Sequence, residues 1–453
     1  MNTGTSGPKG AQLSWLGTLA FASPQITLGA LTLALAVHMP RYFASTLGLS
    51  LAVVGSSFAL VRFIDIPLDP VLGLIMDRTR TRFGRYRVWT LVAVPALVLS
   101  LYMLVHAPPG VGQGYLIGWL LLMYIGYSIL MLSGLAWAAC LATSYTHRSK
   151  IFGLYSILGL LGAVAVLVIP IVLRNLGQSD GEGVRGMMWF ILASTPVCAL
   201  VATARTPEPI AKDHSQGQFA LRDYWTLLTR GNVLRIVAAD LCCAMGPLWM
   251  ATIWLFFAKD SRGFDTTQAN LLLLVYITAG LAGAPFTAWL ANRIGKHRAL
   301  MVNAVAYSLT LLSFGPLPKG IFLVAVPVMF VIGAAGAGLT VVTRAITGDI
   351  ADEIRLESGR EWMGLMFAMT NASTKIASAL SVFLTFQLLA ELGYDAREGA
   401  ANTAKAVHGL ELAFLVGPIV FLMLAALCFV GYRLSAQRHG EIRRELEAMD
   451  ARD

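Results

Sequence analysis

The residues RFIDIPLDPVLGLIMDRTRTRFGRYRVW, 62–89, carry two aspartates, Asp65 and Asp69, inside an apolar run that ends in an arginine-rich loop. A charge at the centre of a membrane-spanning helix costs roughly 2.5–3.5 kcal/mol on insertion scales. Two carboxylates there therefore need a function or a partner. Their i, i+4 spacing puts both on one helix face. That face cannot point at lipid, so it lines an internal cavity in which a cation or a proton balances the charge.

The rest of the chain agrees with a membrane reading. Of 453 residues, 57% are hydrophobic and 13% charged, against about 25% charged in soluble domains. A span takes about 20 apolar residues. Twelve such runs fall at roughly 13–38, 49–75, 88–106, 114–142, 151–174, 186–203, 234–257, 267–292, 299–316, 319–346, 362–391 and 407–432. The expected fold is an all-α polytopic membrane protein with twelve transmembrane helices.

The net charge of +9 is no nucleic-acid signal, because the basic residues are concentrated in the connections between spans. Arg78, Arg80, Arg82, Arg85 and Arg87 follow the second span, Arg148 and Lys150 the fourth, and Arg205, Lys212, Arg222 and Arg230 the sixth. Arg293, Lys296 and Arg298 follow the eighth, and Arg433, Arg438, Arg443 and Arg444 the last. Connections after odd-numbered spans carry fewer. By the positive-inside rule both termini are expected in the cytoplasm of a cell membrane protein. All five cysteines fall inside spans, which argues against a disulfide framework or a structural zinc site. No cleaved signal peptide is evident in the polar MNTGTSGPKGAQ start.

A polar stretch at 203–232 divides six spans from six. The organisation expected is an N-terminal six-helix bundle over 1–204, a middle loop over 205–233, a second six-helix bundle over 234–433 and a tail over 434–453. RFGRYR at 82–87, after the second span, is echoed by RIGKHR at 293–298, after the eighth. A repeat at the same ordinal helix of each half is what duplicated halves produce. Gly333, Gly336 and Gly338 suit close helix approach. Pro67 and Pro70 flank Asp69, so an irregular carboxylate helix is expected there.

The stretch 62–89 resembles the second-helix signature of the glycoside-pentoside-hexuronide:cation symporters, the melibiose-permease-like branch of the major facilitator superfamily. That signature is D-x-x-x-D-P-x-x-G-x-x-x-D-x-T-x-[ST]-R-[FW]-G-[RK]. Here Asp65, Asp69, Pro70, Gly73, Asp77, Thr79, Thr81, Arg82, Phe83, Gly84 and Arg85 occupy it. The segments GYSILMLSGLAWAACLATSYTHRSK at 126–150 and GDIADEIRLESGREWMGLMFAMTNASTKIASAL at 348–380 resemble the family's fourth-helix and tenth-to-eleventh-helix regions. The second of these supplies Asp349, Asp352, Arg360 and Lys375. The resemblance implies two six-helix bundles, a monomer, and a secondary transporter driven by Na+ or H+ at Asp65 and Asp69, helped by oxygens of the fourth helix.

The residues themselves fit that expectation. Sodium prefers hard oxygen ligands, and neighbouring carboxylates also favour sharing a proton. Alternatively, Asp65 pairs with Arg62 and only braces the bundle. Lys375, deep in the eleventh span with Asn371 and Thr374 nearby, suits a cavity-facing partner for a carboxylate or an anionic group. Asp240 lies nearer the end of its span, where a structural pairing is favoured. The acids that family members place in helices one and four, where they engage sugar, are missing. Gln25 and Thr27 stand in the first, and Ser128 and Ser133 in the fourth. The substrate cavity is therefore assigned to Arg62, Gln25, Ser128, Ser133, Trp137, Asn371, Thr374 and Lys375. A sugar, an organic anion or a lysolipid remains open as substrate.

A cytoplasmic gate is expected from Asp77, Arg78, Arg82, Arg85, Asp349, Asp352 and Arg360, whose ion pairs would bias a two-state equilibrium. No cofactor is expected beyond the coupling ion. A membrane enzyme is disfavoured, since HExxH, a nucleophile elbow and a Walker loop are all absent from the sequence. A non-transporting sensor or assembly factor on the same fold is the remaining rival.

Overall fold

In the computed structural model the described residues are 14–108, 110–141, 145–208, 221–360, 362–432 and 436–450, and among them no strand occurs. Residues 209–220 of the middle loop, including Lys212, lie outside them, as does Arg433. Eleven described helices are long and apolar enough to cross a membrane. The ninth apolar run forms the helix Lys296–Leu312, whose seventeen residues sit at the short end of the roughly 17–25 that spanning takes.

Several helices outrun their apolar segments. The second span is a continuous helix, Leu51–Arg78, with Pro67 and Pro70 inside it. Neither proline has an N–H, so the carbonyls of Phe63 and Ile66 lose their helical donors beside Asp69. The tenth span runs Phe322–Ser358 for 37 residues and ends at Gly359, φ +66°, the left-handed cap that glycine allows. The first span is the broken one. It comprises Trp15–Ala22, Pro24–Leu33, a π-turn at Ala34–His38, and Met39–Ser45. Pro24 sets the break, since proline fits a first helical turn but cannot continue a preceding one.

The chain divides into two compact units. One takes the described residues of Met1–Tyr42 and Leu60–His214, the other those of Phe43–Ala59 and Ser215–Asp453. Residues 43–59 group with the second unit for local reasons. The Ser45 hydroxyl donates to the Ala396 carbonyl at 2.7 Å, and a Cβ on Gly55 would lie 3.0 Å from Phe386 Cβ. Inside the second unit the eighth and tenth spans meet backbone to backbone. A Cβ on Gly333 would fall 2.0 Å from the Tyr276 carbonyl oxygen, and one on Gly283 would fall 2.2 Å from that of Ala334. Glycine is the residue that permits this approach.

Phe257 and Phe414 stack at 3.7 Å in the core of the second unit, with Trp254 and Phe314 around them. Large apolar side chains also face outward, among them Val197, Leu200, Leu281, Leu309, Val420 and Leu427. Outward apolar residues along nearly every span are what a bilayer, not water, stabilises.

Candidate functional site

In the first unit Asp65 is fully buried, and both of its oxygens are engaged. Arg62 Nη1 reaches Oδ2 at 3.3 Å from the preceding turn. Ser128, on the fourth span Gln113–Leu141, donates to Oδ1 at 2.9 Å. The Arg62 guanidinium lies 4.1 Å over the ring of Tyr124, one turn before Ser128. The aromatic face adds a cation–π attraction to the ion pair. One helix thus supplies a carboxylate and its counter-charge, and another supplies a hydroxyl and a ring. Asp65 is thus held by Arg62 and presents carboxylate oxygen next to a hydroxyl oxygen.

Asp69 stands one turn further along, half-buried. Gln25 is half-buried on Pro24–Leu33 of the first span. On the same segment Thr32 shares a hydrogen bond of 3.0 Å with the Tyr127 hydroxyl. Ser133 and Trp137 lie apart from this group. Ser133 is buried against Thr90 at 3.2 Å. Trp137 is buried edge-on to Phe21 at 5.2 Å, with its indole N–H towards the Pro207 carbonyl at 3.4 Å. Their side chains fill seams between helices.

The second unit has a polar face of its own. Along the eleventh span Met363–Glu391, Asn371 and Thr374 are exposed, and Lys375 and Ser378 are half-buried. Positions related as i, i+3, i+4 and i+7 fall on one helix face, and polar side chains in a span face a cavity or protein, not lipid. Asp240 of the seventh span accepts hydrogen bonds from Ser373 and from Thr374, the latter at 3.2 Å. The structural pairing expected for Asp240 is therefore with hydroxyls.

The loop after the second span is built around charge. Arg85 Nη2 pairs with Asp77 at 2.9 Å, and the Tyr86 hydroxyl donates to the same oxygen at 3.0 Å. Arg82 lies 4.8 Å over the Phe83 ring, and Arg78 is exposed. Glu208, just past the sixth span, accepts from the backbone N–H groups of Arg85, Tyr86 and Arg87 at 2.7, 2.7 and 3.1 Å. It caps the third span, Tyr86–Val105, where free N–H groups and the helix dipole favour an anion. Gly84 adopts φ +114°, and a Cβ there would lie 2.1 Å from Glu208 Oε2.

In the second unit the echoed motif behaves in parallel. Gly295 has φ +92°, and Lys296 Nζ bonds both oxygens of Asp349 at 2.6 and 2.7 Å. His439 of the tail helix Ala436–Asp450 stands 3.2 Å from both Asp349 and Asp352. Ile442 and Leu446 of that helix are buried. Arg360 lies 3.9 Å from Asp223 on the short helix Leu221–Leu228 of the middle loop.

Sequence reasoning misses Tyr124, Glu208, Lys296 as the partner of Asp349, and His439. Tyr124 has a usable signal, since it lies four residues before Ser128 on the same face. Glu208 has no local signal, because what it caps begins more than a hundred residues earlier.

A family model described as MFS/sugar transport protein matches residues 20–436. The isoprimeverose transporter of Lactiplantibacillus pentosus is 23% identical over 411 residues, covering 88% of this chain and 84% of that protein. The putative glycoside/cation symporter YagG of Escherichia coli (strain K12) is 24% identical, covering 89% of each. The sodium-dependent lysophosphatidylcholine symporter 1 of Homo sapiens is 21% identical, covering 85% of this chain and 77% of that one. Among solved structures, the nucleoside transporter NupG overlays with TM-score 0.68 at 13% identity, covering 93% of this chain and 100% of that one. A bacterial homologue of the human lysosomal transporter Spinster gives 0.64 at 15%, covering 93% and 98%.

Proposed function

Because the chain belongs to the MFS/sugar transport protein family and is a multi-pass secondary transporter of small solutes, we propose that it couples uptake of a sugar-like solute to Na+ or H+ bound at Asp65 and Asp69. The observation that carries this reading is the buried Asp65 with Ser128 at 2.9 Å. A carboxylate oxygen and a hydroxyl oxygen from two helices are the hard donors such a cation takes. Binding there neutralises charge and alters the contact between the two helices at once, which links ion occupancy to conformation.

In this account Arg62 tunes the carboxylates, and Asn371, Thr374 and Lys375 with Gln25 and Ser128 meet the solute. The cluster of Asp77 and Arg85, and that of Lys296, Asp349 and Asp352, hold the cytoplasmic ends, with both termini on that side. The transporter works as a monomer. Glycosides lead as substrate because relatives are named for isoprimeverose and glycosides. The test is uptake by proteoliposomes of a panel of glycosides, organic anions and lysolipids under imposed Na+ or H+ gradients. Accumulation of a glycoside only under one ion gradient is the expected result. Accumulation of lysolipid alone would move the substrate class, and gradient-independent equilibration would remove the coupling.

A further inference from the structure

Asp240 lies on the seventh span, Gly231–Ser261, only 9% exposed. Among the described residues no Lys, Arg or His stands within ion-pair distance of it. Its bonds come from hydroxyls instead. Ser373 and Thr374 both donate to Oδ2. From the tenth span the Thr343 hydroxyl also bears on the carboxylate, and the exposed Arg344 acts at longer range. On its own helix the buried neighbour is Cys243. Burying a carboxylate that no cationic side chain contacts directly is costly, and an intramembrane carboxylate marks a functional site by default.

The hydroxyls have a second acceptor. Ser373 Oγ lies 2.8 Å from the Thr370 carbonyl, and Thr374 Oγ1 lies 3.1 Å from it. A carbonyl oxygen has two lone pairs and a hydroxyl has one proton and two lone pairs. Both protons can therefore turn from Asp240 to Thr370. That rotation leaves two hydroxyl oxygens and a carboxylate converging with lone pairs outward, an all-oxygen set suited to a hard cation. Thr374 is exposed, so a route to the set exists along the polar stripe of Asn371 and Ser378.

We propose that Asp240, Ser373 and Thr374 form a sodium site within the second unit, separate from Asp65 and Asp69. The site does not depend on the coupling assignment made above, and its test removes that assignment first. The full chain carrying Asp65→Asn and Asp69→Asn is purified in detergent, and its melting temperature is followed as NaCl replaces choline chloride at constant ionic strength, with KCl as the comparison salt. Sodium is expected to raise the melting temperature in this background, by more than potassium does. Adding Asp240→Asn is expected to abolish the rise. Adding Ser373→Ala and Thr374→Val instead, which keeps the carboxylate, is expected to raise the half-maximal sodium concentration by about tenfold or more, as loss of about 1.4 kcal/mol of binding would.

This second set decides the matter if the Asp240 variant melts abnormally already in choline. The proposal is overturned if the Asp65/Asp69 background shows no sodium response. It is equally overturned if that response survives both additions, or if potassium matches sodium throughout. A failure of the Asp65–Asp69 reading is recognised separately, because the background variant would then keep the whole of the wild-type response.

Discussion

Ser128 on the fourth span donates its hydroxyl proton to Asp65 on the second at 2.9 Å, so the orientation of a buried carboxylate depends on two helices that are far apart in sequence. A cation bound there, as proposed, would meet the same carboxylate oxygen and the Ser128 hydroxyl oxygen together. Under the proposed coupling, ion binding and helix position are therefore read by one atom pair.

Replacing Ser128 with alanine removes the hydroxyl oxygen that the proposed cation would take as a ligand beside Asp65, at a loss of about 1–3 kcal/mol of binding. The expected outcome is a rise of about five- to a hundredfold in the cation concentration that half-saturates uptake. The maximal rate at saturating cation should fall much less. Ser128→Thr, which keeps the hydroxyl, should behave close to wild type.

Arg62→Ala takes the Arg62 guanidinium away from the buried Asp65, and breaking one side of a buried pair costs about 3–5 kcal/mol. The melting temperature should drop well below that of wild type. In the double variant Arg62→Ala/Asp65→Asn much of the loss should return, because the neutral amide no longer demands a cation. A thermodynamic cycle over the four proteins measures the coupling.

Much of this site is legible in the amino-acid sequence. Asp65, Asp69 and Arg62 share one short segment, and i, i+3 or i, i+4 spacing fixes which side chains can meet on a helix. Membrane class follows from composition, since apolar runs of span length have few other uses. What pairs across helices is not legible. Ser128 and Ser133 look alike in sequence, yet one faces Asp65 and the other Thr90. Helix rotation, set by packing, separates them. Trp137 likewise looks like a ligand-stacking aromatic but is buried against Phe21. The continuation of the tenth helix to Ser358 is hidden because its last turns are polar, and the pairing of Lys296 with Asp349 only arises from that continuation.

Glu208→Ala should remove the cap from the third span at a cost of about 0.5–2 kcal/mol, the range for lost N-terminal caps. Thermal unfolding in detergent checks this, and Glu208→Gln should fall between the alanine variant and wild type. Gly84→Ala should be at least as damaging, since a Cβ would meet the Glu208 carboxylate and the positive φ strains any L side chain.

The segment between the last two spans gives a pH dependence with a definite sign. The Arg397 side chain bonds Asp395, helped by the Arg397 backbone N–H, and holds its carboxyl below the usual carboxylate range. On acidification the unfolded chain takes up this proton first, near pH 3.9. The contribution to stability is therefore full above that value and is lost as pH falls through the folded value. The melting-temperature difference between wild type and Asp395→Asn should be constant above about pH 5 and shrink below about pH 4. A difference that grows on acidification would contradict the assignment.

The most direct test of the coupling claim is ion-gradient-driven accumulation in proteoliposomes by the wild type and by Asp65→Asn/Asp69→Asn. The account predicts that the double variant loses accumulation above equilibrium while its purified form remains folded. Accumulation equal to wild type under the same gradient would contradict it.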